Sequence, residues 1–150
     1  MDRTEPVELA VSVMVTDKDG RILVLDKQDE SWGGIYFPGG HVERGESFVH
    51  AAIREVREET GLEIRHPVLC GTKQFPSKHG RYLVVFYKTS SFSGTLQDSP
   101  EGPVFWLHPR DLSNCRLTDH FIETVALCND PEQSEMYWYT HDDHWSFDIL

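Results

Sequence analysis

"GGHVERGESFVHAAIREVREETGLEI", residues 39–64, carries acids at Glu55, Glu58, Glu59 and Glu63 in its second half, with only Arg54 and Arg57 among them. Carboxylates three or four residues apart on a helix repel by about 0.2–0.5 kcal/mol per pair. Such a run suits either a wet surface, where the cost is trivial, or a place where a cation sits. Ser47 is positioned to cap a helix whose interior begins at Phe48, and Gly61 is positioned to end it. At helical spacing Phe48, Val49, Ala52, Ile53 and Val56 share an apolar arc, and Glu55, Glu58 and Glu59 form a second arc that meets it near Phe48. The three carboxylates are therefore expected to converge beside the core-facing edge. Glu63 follows Gly61 and is expected on the next strand, outside the cluster.

Outward from this segment the chain reads as strands. "LAVSVMVT" (9–16) and "RILVLDK" (21–27) are apolar and partly alternating, and "DKDG" between them is a hairpin signal, so the two are expected to pair antiparallel. In "SWGGIYFPGG" (31–40) the glycines and Pro38 exclude a long regular element and let backbone approach a ligand closely. Further strands are expected at 67–75, 81–89 and 102–107, and a second helix over 118–129 with Thr118 or Asp119 as its cap. "EMYWYT" and "WSFDIL", separated by "HDDH", read as a closing hairpin. The pattern predicts one α+β domain over residues 1–150, a mixed β-sheet sandwiched between α-helices, with no repeat or internal linker.

With 39% hydrophobic and 26% charged residues, the chain can bury a full-sized core. Its formal net charge of -11 repels duplex nucleic acid, and no basic RNA surface is evident. A small anionic ligand meets the same repulsion, so a phosphate substrate implies bound divalent metal seated on the acids. Cys70, Cys115 and Cys128 are odd in number and lack CxxC spacing, which indicates neither a disulfide framework nor a thiolate zinc site. Reduced thiols are the plain expectation. No apolar run approaches the roughly 18 residues of a membrane span, so a soluble cytoplasmic protein is expected.

From Gly40 the sequence runs five residues to Glu46, then seven to Arg54-Glu55-Val56-Arg57-Glu58-Glu59-Thr60-Gly61-Leu62. This resembles the Nudix box, G-x5-E-x7-R-E-U-x-E-E-x-G-U with U aliphatic, and meets every specified position. The resemblance implies the Nudix fold and a Mg-dependent hydrolase, with Mn as an alternative ion, that attacks a nucleoside diphosphate linked to another group with water. It implies Glu58 and Glu59 as principal metal ligands and Glu55 as either a ligand or the general base. Arg54 would orient Glu55, Glu46 would support that arrangement, and the carbonyl of Gly40 would be a backbone ligand. A further acid from outside the box is implied, for which Glu101 is the best placed candidate. A nucleotide is the expected partner, membranes and duplex nucleic acid are not, and a homodimer is left open.

Plainer readings stand beside these. Without the box, the acid arc would be a solvated face, and Glu101 would be a turn acid. His141 and His144 look like a metal pair but suit a solvated turn, and the four tryptophans suit packing better than base stacking. "FPGGHVERGES", "GTLQDSPEGPVFWL" and "LTDHF" together look like the MutT-type branch, which hydrolyses nucleoside triphosphates including oxidised purine ones such as 8-oxo-dGTP. On that likeness Asp119 would hydrogen-bond the purine edge, and Tyr36 or Phe75 would stack or line the pocket. The plainer role for Asp119 is a helix cap. Three functions follow: a triphosphate diphosphatase releasing pyrophosphate; a pyrophosphatase for ADP-ribose, dinucleoside polyphosphates or RNA 5′ ends, with Pro76 as a weak hint; or a non-catalytic nucleotide sensor. The last is disfavoured because every box carboxylate is kept.

Overall fold

The structure is a computed structural model and describes residues 1–150. In chain order its strands and helices are β1 (Val7–Val15), β2 (Ile22–Lys27), β3 (Gly34–Tyr36), β4 (Gly39–His41), α1 (Phe48–Thr60), β5 (Leu62–Arg65), β6 (Val68–Ser77), β7 (Gly80–Thr89), β8 (Ser91–Gly94), β9 (Val104–Leu107), a 3-10 helix (Pro109–Asn114), α2 (Phe121–Asn129), β10 (Glu135–His141) and β11 (His144–Ile149). Six strands form a mixed sheet in the order β11-β10-β6-β7-β1-β4, in which β1 runs parallel to β7 and β10 parallel to β6. A three-stranded sheet, β3-β2-β9, and a pair, β5-β8, complete the framework.

Strand alternation builds two cores. Val11, Val13 and Val15 of β1 pack with Ala51, Ala52 and Val56 of α1, whereas Met14 packs with Phe121, Val125, Leu127 and Cys128 of α2. Leu23 and Leu25 of β2 join the first core, and Ile22 and Val24 join the second. The helices thus cover opposite faces, which is the expected α+β sandwich. No helix is long and apolar enough to cross a membrane.

The expected β1–β2 hairpin is corrected. The turn forms, with Asp17 N–H donating to the Arg21 carbonyl and the Asp17 carboxylate accepting from the N–H groups of Asp19 and Arg21. Beyond a single bridge, Thr16 to Ile22, the strands diverge into different sheets. Both strands are apolar on both faces, so each needs its own pair of covering layers, and a local turn sets only the reversal of the chain.

Helix α1 has the expected ends. Ser47 Oγ accepts from His50 N–H at 3.0 Å, and Gly61 takes the left-handed conformation at φ 81°. Its buried face is shifted from the expected arc: Ala51, Ala52, Val56 and Thr60 are buried, while Phe48 and Val49 are exposed because the first turn projects past the core. The expected cap of α2 is also corrected. His120 holds the cap position with φ 59° and no side-chain cap bond, and Thr118 Oγ1 donates to the Ile35 carbonyl instead. The closing hairpin turns through Asp142 and Asp143, both with positive φ, as a tight two-residue loop requires. His141 and His144 flank that turn in solvent.

Candidate active site

Strand β4 pairs with β1 and leads through residues 42–47 into α1, so its backbone lies against the acid face of the helix. Gly39 N–H donates to Glu59 Oε2 at 2.9 Å. A Cβ on Gly39 would stand 2.2 Å from the Val11 carbonyl oxygen, and one on Gly40 would stand 2.6 Å from the Glu55 carboxylate. Gly39 therefore demands glycine, to let β4 close on β1, whereas a side chain at Gly40 would displace the Glu55 carboxylate from its place.

Arg54 organises the acids around it. Its Nε and Nη2 donate to the two oxygens of Glu46 at 2.8 and 2.9 Å, a two-point clamp across the loop before the helix. Nη1 donates to Glu55 at 2.9 Å and to Glu58 at 3.2 Å, and Nη2 also reaches the His41 carbonyl at 3.0 Å. The Arg54 hydrogen bonds hold the Glu46 carboxyl down to about 2.

Glu55, Glu59 and Glu101 line one open cavity of about 570 Å³ together with Gly40, Tyr36 and Lys27. Tyr36 OH donates to Glu101 Oε2 at 2.6 Å, and burial together with that bond holds the phenol protonated far above its ordinary range. Glu58 does not line the cavity; its side chain is 57% exposed and turns to Arg54 at the rim. Glu63 lies outside, on β5, 3.6 Å from Arg57.

The cavity is short of positive charge. Burial pushes Glu59 up to about 7, reinforced by Glu55 and Glu101 and opposed by the Gly39 N–H and Lys27. Burial also raises Glu55, against the pull of Arg54. Several carboxylates with surplus negative charge, half withdrawn from water, are the hard oxygen donors that suit Mg or Mn. The residues present fit a divalent cation in kind, and no three of them stand close enough together to form a coordination group before the ion and a phosphate chain draw them in. Because folded Glu59 binds its proton more tightly than the unfolded chain, at about 7 against 4.5, its contribution to stability is greatest below pH 4.5 and is lost as pH rises to 7. Metal-free protein is accordingly expected to gain more in melting temperature from added Mg at pH 8 than at pH 5. In Glu59→Gln that pH-dependent gain should shrink, as differential scanning fluorimetry can measure.

Two cavity residues escaped the sequence reading. The Lys27 ammonium makes no hydrogen bond or ion pair with the protein and lies 3.6 Å over the ring of Trp32, which is 64% exposed. Packing accounts for Trp106, against Phe92, for Trp138 and, at its edge, for the half-exposed Trp145, but not for Trp32. Nothing in the spacing singles Lys27 out, because its role depends on β2 ending beside α1.

Asp119 lines a smaller adjoining cavity of about 170 Å³ with Lys73 and Thr124, and Ser12, Tyr36, Phe37 and Val84 are walls common to both cavities. Its carboxylate has no hydrogen-bond partner within the protein and caps nothing, which removes the plainer reading. Burial lowers the pKa of Lys73, and Asp119 counters it. Tyr36 is brought to the site, but Phe75 is not. Phe75 stacks on Tyr82 at 4.9 Å and faces a separate cavity, and only Tyr82 reaches the acids' cavity.

A helix presenting acids to a glycine-bearing strand, clamped by one arginine, defines the class. The chain belongs to the Nudix family: the NUDIX domain matches residues 6–147. It is 34% identical over 110 residues to the Nudix hydrolase YvcI of Bacillus subtilis, covering 69% of this chain and 68% of that one. It is 35% identical over 100 residues to the ADP-ribose pyrophosphatase of Methanocaldococcus jannaschii, covering 63% and 59% of the two chains. The CTP pyrophosphohydrolase of Escherichia coli is 30% identical over 106 residues, with 69% and 78% covered. Among solved structures, the MutT protein of Bacillus halodurans superposes with TM-score 0.76 over 95% of this chain and 97% of its own, at 23% identity. That likeness is one of fold. Nudix hydrolases act on nucleoside diphosphate derivatives, and the relatives also include an isopentenyl-diphosphate Delta-isomerase of Kocuria rhizophila.

Proposed function

We propose that the chain is a Mg-dependent diphosphatase that converts a purine nucleoside triphosphate, with 8-oxo-dGTP as a candidate, to the monophosphate and pyrophosphate. The observation that carries this reading is that the acid-lined cavity adjoins the smaller cavity of Asp119 and Lys73 across the shared walls Ser12, Tyr36, Phe37 and Val84. One can take a phosphate chain and the other a base. When bound, divalent metal neutralises the phosphates and makes water acidic enough to attack at neutral pH. Glu59, Glu101 and the Gly40 backbone would hold it, and Glu58 would have to turn from Arg54 at the rim to join them. Glu55 takes the proton of the attacking water as the water oxygen bonds to phosphorus and the α–β anhydride P–O bond breaks, releasing the monophosphate and pyrophosphate, and Arg54 keeps the Glu55 carboxylate aimed. The Lys27 ammonium, held only over the Trp32 ring, has no ion pair to surrender and takes a phosphate oxygen.

At the other end Asp119 offers only acceptors and Lys73 only donors. Guanine and its 8-oxo form present N1–H and N2–H to the first and O6 to the second. Each side chain is expected to act on binding. Asp119→Ala should raise KM for a guanine triphosphate about tenfold or more while kcat changes little, on the scale of one charge-assisted hydrogen bond. Lys27→Met should likewise raise KM for triphosphates more than it lowers kcat. Steady-state kinetics check both, and unchanged KM values would remove these residues from the site.

The likeness to an ADP-ribose pyrophosphatase supports a second reading, in which ADP-ribose occupies the same two cavities. A substrate panel with Mg, resolved by chromatography, separates them. The first reading predicts pyrophosphate from guanine triphosphates in preference to AMP from ADP-ribose. The reverse preference replaces it with the second, and no turnover of any nucleotide leaves a sensor.

A further inference from the structure

A cavity of about 660 Å³ lies between the start of β6 and the C-terminal end of α2 and shares no wall residue with the two cavities described above. Both Cys70 and Cys128 line it, with Lys88 beside them. Cys70 is the extra residue of a bulge, since the ladder to β7 passes from Leu69 paired with Tyr87 to Gly71 paired with Phe86. The bulge presses on α2: a Cβ on Gly71 would meet the Leu127 side chain at 3.2 Å. Cys70, half-buried, packs on the core cluster that contains buried Cys128, and the approach of Gly71 to Leu127 sets their neighbours Cys70 and Cys128 side by side. Lys88 Nζ donates to the Cys128 carbonyl at 3.2 Å, which fixes an ammonium beside the pair.

We propose that Cys70 and Cys128 form a dithiol site that hydrogen peroxide oxidises to an intramolecular disulfide, tying the end of α2 to the bulge of β6. The roles of the two sulfurs differ. The neighbouring Cys128 thiol, assisted by Lys88, holds the Cys70 thiol below its usual range, whereas its partner's proximity and burial push Cys128 up. Cys70 is therefore the attacking thiolate. Its sulfur bonds to one peroxide oxygen, the O–O bond breaks, and the departing hydroxide takes up the proton Cys70 released, leaving as water. Cys128 sulfur then attacks the Cys70 sulfenic acid, the S–S bond forms as the S–O bond breaks, and the hydroxide leaves with the Cys128 proton as a second water. The two sulfurs supply the two electrons that reduce the peroxide. The bridge would join the two elements that carry Lys73 and Thr124 to the Asp119 cavity.

The test treats the reduced full chain with hydrogen peroxide, alkylates it with N-ethylmaleimide under denaturing conditions, and maps it by intact and peptide mass. The expected product has lost two hydrogens, carries a single alkyl group on Cys115, and yields peptides joined through Cys70 and Cys128. Dithiothreitol should restore three alkylated cysteines. Cys128→Ser should stop at a Cys70 sulfenic acid that dimedone traps, and Cys70→Ser should leave Cys128 alkylated as in untreated protein. Three alkylatable thiols after peroxide, a bridge through Cys115, or chains joined to each other would overturn the proposal. Mapping of the unsubstituted chain decides the matter without either variant, and no readout involves nucleotide hydrolysis.

Discussion

Glu55→Gln is expected to lower kcat by about 10²–10⁴, the range that general bases contribute, with KM for the nucleotide changed far less. Glutamine keeps the shape and can still meet Arg54 Nη1 through its amide oxygen, but it cannot accept the proton of the attacking water. The geometry makes the substitution clean. Glu55 lies against Gly40 and is held by Arg54 at 2.9 Å, so its amide substitute has little room to turn elsewhere. A pre-steady-state or single-turnover measurement would locate the loss in the chemical step. A variant that retains most of the kcat would transfer the base role to another group, with Glu58, on the same arginine, and Glu101, in the same cavity, the acids to test.

Removing Arg54 is expected to act on both stability and activity. Its guanidinium, 17% exposed, meets Glu46, Glu55, Glu58 and the His41 carbonyl at once. Arg54→Met leaves those acids without their common cation. Breaking a fully buried ion pair costs about 3–5 kcal/mol; screening at this partly open site reduces the expectation to about 2 kcal/mol. That loss should lower the melting temperature by roughly 4–8 °C in a domain of this size. Activity should fall further than stability explains, because the Glu55 carboxylate is no longer aimed. Arg54→Lys separates the two effects: it restores charge but not the fork that reaches two partners on different elements. It should recover much of the melting temperature and little of the kcat. Recovery of both would show that charge alone is needed.

What could be read from the sequence was mostly local. The caps at Ser47 and Gly61, the exclusion of Glu63, and the convergence of Glu55 and Glu59 follow from spacing within one helix, where i and i+4 determine who shares a face. The acid face lay deeper than expected because Phe48 and Val49 sit on a turn that the core does not reach, which no periodicity reveals. Glu58 was expected beside Glu59 as a ligand, yet its side chain turns to the rim because Arg54 lies one turn before it. Apart from the closing hairpin of β10 and β11, pairings across the sheet were not legible. The turn after β1 looked like a hairpin, but two-sided burial sent β2 to a different sheet. Lys27 over Trp32, Lys73 facing Asp119, and the contact of Cys70 with Cys128 each join residues whose proximity depends on that topology. The bulge that places Cys70 against α2 has no signature in "PVLCGTKQF".

The central claim is that the repulsion among Glu55, Glu59 and their neighbours makes a seat for a divalent ion. Titration of the protein with Mn, followed by the electron paramagnetic resonance signal of the free ion, tests it most directly. Saturable binding is predicted in the unsubstituted chain, greatly weakened in Glu59→Gln and unchanged in Glu63→Gln, whose acid lies outside the cavity beside Arg57. Equal binding by all three proteins would contradict the account.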